Sequence, residues 1–201
     1  MTAGGGGALA AWFDEVYRQS GRRPAAIPWA RLEPEPLFAR WLEDTGPPPG
    51  RAAVVGCGLG DDAEALAARG HDVVAFDASP EAIAWCGERF PSSRVDYRVA
   101  DLLALPPGWR SAFDLVVEVF TVQSLALRDR DAAIDAVASL VAPGGRAFVV
   151  ALGRPDEQYP SGPPFPVSRR EMDRFTACGL VEHRFEQVGL RFLGIYRRPA
   201  R

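Results

Sequence analysis

An α/β fold, doubly wound about a mostly parallel sheet, is predicted by three features of the sequence. Apolar, β-rich runs alternate with helical stretches from Arg51 onward, as strands covered by helices on both faces require. Leu115 to Val119 is almost purely apolar, the mark of a central strand buried on both sides. Ala52-Ala53-Val54-Val55 breaks into Gly56-Cys57-Gly58-Leu59-Gly60 and then Asp61-Asp62, which reads as strand, tight turn and helix. The 201 residues suit one domain with its own core.

Taken in order, Ala8 to Ser20 places Leu9, Trp12, Phe13, Val16 and Tyr17 on one helical face, while the glycine run of Met1 to Gly7 is expected to be disordered. Ile27 to Pro36 carries three prolines, which hold the chain extended and set Trp29 on a stiff loop, either plugging the core edge or lining a site. A short helix from about Pro36 to Asp44 stops at Gly46-Pro47-Pro48-Pro49-Gly50. Residues 1–50 then form a segment over the site and residues 51–201 the main domain.

In that domain strands are expected at Arg51 to Val55, Asp72 to Phe76 and Val95 to Val99, with helices at Asp62 to Arg69 and Pro80 to Phe90. Ser79-Pro80 supplies an N-cap and an N1 proline. Asp131 to Val141 reads as a helix stopped by Pro143-Gly144-Gly145, followed by a strand from Arg146 to Leu152. Gly153 to Val167 has five prolines and is too long for a plain connection, so it is either a substrate lid or a surface loop. Ser168-Arg169-Arg170-Glu171 has capping-box form and opens a helix to about Cys178; Val181 to Val188 and Leu190 to Arg198 form a hairpin about Gly189.

Composition narrows the function. The chain is 47% hydrophobic and 24% charged, with no apolar run near the roughly 18 residues of a membrane span, so a cytoplasmic protein with no membrane partner is expected. A net charge of −3 with mixed signs gives no basic stripe, and nucleic acid is not the expected partner. Cys57, Cys86 and Cys178 are scattered and odd in number; with only His71 and His183 besides, neither a disulfide framework nor a metal cage follows. Oligomeric state is left open.

Glycines at Gly56, Gly58 and Gly60 let the backbone take positive φ and lie against a ligand. The dinucleotide fingerprint needs its third glycine where this chain has Asp61, and Asp61 with Asp62 would repel a pyrophosphate. Two carboxylates suit instead a ligand carrying an ammonium or sulfonium charge. Asp77, ending the second strand, can accept both hydroxyls of a ribose or close an Asx turn with Ser79. Asp101 after the third strand can take an exocyclic amine or stay a solvated loop acid. Glu118, ending the apolar strand, is costly to bury unpaired, so it faces a ligand or holds a local amide. Thr121 and Gln123 extend the same edge.

This pattern resembles the class I S-adenosylmethionine (SAM) dependent methyltransferases from Arg51 to the C-terminus. Val55 to Gly60 is similar to their first motif, Val74-Ala75-Phe76-Asp77 to the second and Val99-Ala100-Asp101-Leu102 to the third; Phe113 to Glu118 and Leu140 to Gly145 complete the set. The resemblance implies a Rossmann-like, seven-stranded sheet whose last strand runs antiparallel. It implies that Gly56, Gly58 and Gly60 contact the methionine part of SAM, Asp77 the ribose, and Asp101 with Leu102 the adenine, with Asp61, Ala78 and Glu118 also at the cofactor. Many members carry an acid where this chain has Val54, and Asp61 or a water is the expected substitute. Trp29 and Pro34-Glu35-Pro36 are similar to the opening of the thiopurine and thiol methyltransferase branch.

The resemblance implies a methyl donor, SAM, no metal, and a small-molecule acceptor. Methyl transfer rests on alignment of nucleophile and methyl. A thiol ionises near neutral pH and needs little help, whereas an alcohol needs a general base that neither histidine is placed to supply. S-methylation is the leading expectation, with Glu118, Gln123 and Trp29 as candidates for the reacting end. O- or N-methylation, or a SAM- or nucleotide-binding module without turnover, are the alternatives.

Overall fold

The computed structural model of the protein describes residues 5–200, with side chains from residue 9. Its elements are α1 (Gly5–Gln19), α2 (Pro36–Thr45), β1 (Arg51–Val55), α3 (Asp61–Ala68), β2 (Asp72–Asp77), α4 (Pro80–Arg89), β3 (Asp96–Val99), β4 (Phe113–Val119), α5 (Leu127–Leu140), β5 (Val141–Arg154), β6 (Val167–Ser168), α6 (Arg169–Ala177), β7 (Val181–Val188) and β8 (Arg191–Arg197). Seven strands run in the order β3-β2-β1-β4-β5-β8-β7, and β6 pairs with β5 off that path. β1 to β5 are parallel along the path, while β8 lies antiparallel between β5 and β7. This is the mostly parallel, doubly wound sheet with an antiparallel C-terminal pair.

Alternation along the strands explains the two layers. Ala53, Val55, Val74, Phe76, Val116, Ala147 and Val149 pack beneath α5 and α6, against Ile134, Val137, Met172 and Phe175. The intervening Ala52, Val54, Val73, Ala75, Leu115, Val117 and Phe148 pack under α2 and α3, against Phe38, Trp41 and Leu66. Side chains on a strand alternate faces, so a sheet sandwiched between helices needs apolar residues at both parities. Each fully buried Val, Leu, Ile or Phe stabilises by about 1.5–3 kcal/mol, which is why this core dominates the fold.

Helix starts follow their caps. Ser79 accepts from the Ala82 amide at 3.0 Å with Pro80 at the first position, and Ser168 and Glu171 form the reciprocal capping box that the sequence spells. Glu35 caps α2 by accepting from the Phe38 amide at 2.9 Å.

Four expectations change. The first helix begins at Gly5, inside the glycine run; the rest of the disorder expected for Met1 to Gly7 falls on residues 1–4, outside the described residues. α5 begins at Leu127 rather than Asp131, because Arg130 turns inward and is buried. Pro143-Gly144-Gly145 does end the helix but not the sheet: Gly144 donates to the Arg198 carbonyl and Arg198 back to Gly145, so β5 starts at Val141. The proline-rich connection is also shorter than its sequence suggested, since β6 closes it at Val167.

Candidate active site

The carboxyl ends of β1, β2 and β4 open into a cavity of ≈ 710 Å³. Its floor is the turn after β1, where Gly56, Gly58 and Gly60 all take positive φ, at 58°, 53° and 90°. The turn is pinned by hydrogen bonds from Cys57 N to the Phe76 carbonyl and from Gly60 N to the Cys57 carbonyl, both 2.9 Å. A Cβ on Gly56 would collide with the Thr121 side chain, so the close approach of the turn to the β4 edge requires glycine there.

Asp77 and Asp101 line this one cavity, with Ala78 and Leu102 beside them. Asp77 accepts from the Gly58 amide at 3.0 Å and from the Ser79 amide at 2.9 Å, so each oxygen braces the turn or the start of α4 and keeps spare lone pairs. The Asx turn and the place in the cavity wall are therefore both real. Burial pushes the Asp77 carboxyl up, and the amides of Ser79, Gly58 and Ala78 pull it back. Asp101 is exposed and caps the short turn Leu102–Ala104 through the Leu103 amide at 2.8 Å.

Two residues leave the predicted set. Glu118 is not in the cavity wall: fully buried, it accepts from the amides of Thr121 at 2.7 Å and Val122 at 2.9 Å, and so shapes the edge from beneath. Burial pushes its carboxyl up to about 7 despite those two amides. Gly60 is also outside the wall, where it is the N-cap of α3 in the left-handed conformation, packed against the Tyr97 hydroxyl and Cys86. Asp61 does line the cavity, but its carboxylate is held by Arg89 at 2.7 and 3.0 Å.

Gln123 and Trp29 reach the cavity. Gln123 is nearly buried, its side-chain oxygen taking the Leu152 amide at 2.5 Å and its carbonyl the Phe165 amide at 2.7 Å, which ties the proline-rich loop to the site. Trp29 donates its indole N–H to the Tyr17 hydroxyl at 2.8 Å and packs edge-on to Phe13 and Tyr17, with ring centroids 5.2 and 5.7 Å away. Burial and the charge of Asp77 push the Tyr17 hydroxyl well above its ordinary range.

Sequence reasoning missed the aromatic wall that α1 contributes. Trp12, Phe13 and Tyr17 look like the apolar face of a core helix, and only Trp29 was singled out. Asp14 fixes that wall: it accepts from the Ser79 hydroxyl at 2.6 Å and the Glu81 amide at 3.2 Å, joining α1 to the start of α4. His71 sits at the opposite end of the sheet against Gly50, and His183 is exposed on β7. Among the described residues no helix is long and apolar enough to cross a membrane.

Residues 53–145 match the family described as "Methyltransferase domain". A probable thiol methyltransferase 2 from Arabidopsis thaliana is 27% identical over 188 residues, covering 87% of this chain and 81% of its own. A ubiquinone biosynthesis O-methyltransferase from Azotobacter vinelandii is 32% identical over 130 residues, covering 63% of this chain; the match spans only 55% of that protein. Among solved structures, Burkholderia thailandensis 1,6-didemethyltoxoflavin-N1-methyltransferase, with its substrate and S-adenosylhomocysteine bound, superposes with a TM-score of 0.75 at 18% identity, over 99% of this chain and 92% of its own. That likeness is one of fold.

Proposed function

We propose that this chain, a class I S-adenosylmethionine-dependent methyltransferase, methylates a small molecule at a soft nucleophilic atom, first of all the sulfur of a thiol. The cavity fits the donor: at ≈ 710 Å³ it lies within the usual range of ligand pockets, its glycine floor admits close backbone approach, and Asp77 keeps lone pairs for paired hydroxyls. Gly56 and Gly58 would then underlie the methionine part, Asp77 and Ala78 the ribose, and Asp101 with Leu102 the adenine. When bound, the donor supplies a methyl group activated by sulfonium charge.

The chain's own residues align and enclose. Trp12, Phe13, Tyr17 and Trp29 form an apolar wall that orients an acceptor and keeps water away from it. Positioning of this kind supplies up to about 7–11 kcal/mol in favourable cases. The observation that carries the reading is what this wall lacks: its one titratable group is the Tyr17 hydroxyl, which holds its proton far above neutral pH. No group in this wall is placed to take a proton, which suits an acceptor that arrives ionised or ionises readily, as a thiol with a pKa of about 8.5 does. Similarity to a thiol methyltransferase along 87% of the chain supports the same choice.

O-methylation is the second reading. The matches to ubiquinone biosynthesis O-methyltransferases favour it, as does Asp62, a cavity carboxyl that burial pushes up to about 7. Release of S-adenosylhomocysteine from SAM, measured with matched aryl thiols, phenols and anilines, separates the two. Thiols are expected to react at least about 10-fold faster in kcat/KM, the scale on which a missing base matters. Faster turnover of phenols would overturn the thiol assignment.

A further inference from the structure

The acids at one end of the cavity are matched to arginines, with one exception. Glu33 pairs with Arg31 at 2.9 Å, Glu35 with Arg191 at 3.0 Å and Asp61 with Arg89 at 2.7 Å. Asp62 lines the same cavity and, among the described residues, makes no ion pair. One of its oxygens accepts the Glu35 amide at 2.8 Å, and the other takes no hydrogen bond from the described residues. The carboxyl group is withdrawn from water, with Glu35 and Asp61 adding like charge and Arg31 offsetting part of it.

An uncompensated carboxylate in a cavity is costly unless something positive completes it. Arg31, itself paired with Glu33, offsets part of that charge without an ion pair, and the ligand is left to supply a direct partner. The donor's α-ammonium group carries three N–H donors and a full charge, and a carboxylate oxygen is its natural acceptor. The Val54 side chain points into the apolar core beneath α2 and α3. It can hold no amine.

We propose that Asp62, through its free carboxylate oxygen, takes the α-ammonium group of the methyl donor, in place of an acid at Val54 and in place of Asp61. The inference rests on reading the cavity as the SAM site. Asp62 is brought there by two segments that lie outside the glycine motif's own contacts: the first turn of α3, and the Pro34-Glu35-Pro36 stretch whose Glu35 amide orients the carboxylate. Glu35 in turn caps α2 and pairs with Arg191 of β8, so the amino-acid end of the donor is sensed jointly by the N-terminal cover and the C-terminal hairpin.

The test compares two adenosine thioethers, S-adenosylhomocysteine and methylthioadenosine, of which the second lacks the amino-acid end. Their dissociation constants are measured calorimetrically on the full chain at pH 8. Asp62→Asn keeps an oxygen for the Glu35 amide and so preserves the local fold. It is expected to weaken S-adenosylhomocysteine about 10- to 100-fold, the range of a hydrogen bond to a charged group, and to leave methylthioadenosine within about 2-fold. Asp61→Asn is expected to leave the ratio between the two ligands unchanged. Equal weakening of both ligands by Asp62→Asn, or loss of discrimination in Asp61→Asn, would overturn the assignment. So would unchanged S-adenosylhomocysteine affinity alongside collapsed methyl transfer, which would make Asp62 a base. If the unaltered protein binds neither compound, the SAM reading itself fails, and this inference with it.

Discussion

A carboxylate's neighbours, not its position in a motif, decide what it does in this protein. Asp61 and Asp62 are adjacent on one helix turn, yet one faces Arg89 and the other an unmatched corner of the cavity. Glu118 shows the same dependence. Of the two roles its sequence leaves open, facing a ligand or holding a local amide, it has the second: the chain turns back over it and presents two amides, so it braces Thr121 and Val122. Its pH signature follows. The folded protein holds the Glu118 proton up to about 7, whereas the unfolded chain releases it near the ordinary glutamate value of about 4.3. Between those values the folded state binds more protons, so stability declines as pH rises through that window and levels off above it. Glu118→Gln removes this contribution. Urea unfolding at pH 5 and pH 8 should show a smaller loss for the variant than for the parent, by about 1–3 kcal/mol. An unchanged difference would mean that Glu118 ionises freely in the folded protein.

At the scale of elements, the end of the cavity proposed for the acceptor is built by α1 and the loop behind it. Asp14 ties α1 to α4, while Trp29 closes on Trp12, Phe13 and Tyr17. Tyr17 reaches the turn at Gly58 and feels the charge of Asp77, whereas Trp29 contacts the other three rings, so a Trp29 variant should weigh on the acceptor more than on the donor. Trp29→Ala is expected to lower kcat/KM for the acceptor about 10-fold through lost aromatic contact. Its dissociation constant for S-adenosylhomocysteine should move less than about 3-fold. A comparable loss in donor binding would place Trp29 at the donor instead. The proline-rich loop on the other flank is bound rather than loose. Arg154 donates to the carbonyls of Pro155, Asp156, Gln158 and Pro166, and Arg130 donates to that of Phe165 at 2.7 Å.

Over the whole molecule, the sheet was legible in the sequence because its information is local. The β1 run, the Ser79-Pro80 start, the capping box at Ser168 and the terminal hairpin each carry their own signal in a few adjacent residues. Less legible were features set by distant partners. β5 gains its first residues from pairing with Arg198, and α5 gains a turn because the buried Arg130 finds partners in Glu171 and Phe165. The half of the cavity proposed for the donor is visible as motifs, Gly56, Gly58, Asp77 and Asp101 all meeting there. The other half is legible only as a segment over the site: Trp12, Phe13 and Tyr17 have the spacing of a core helix, and the fold shows that their face lines the cavity.

The most direct measurement is a crystal structure of the protein with S-adenosylhomocysteine. It should place the ribose hydroxyls on Asp77, the adenine between Asp101 and Leu102, and the sulfur facing Trp12 and Trp29. An adenosine bound elsewhere, or a sulfur turned away from the aromatic wall, would contradict the account.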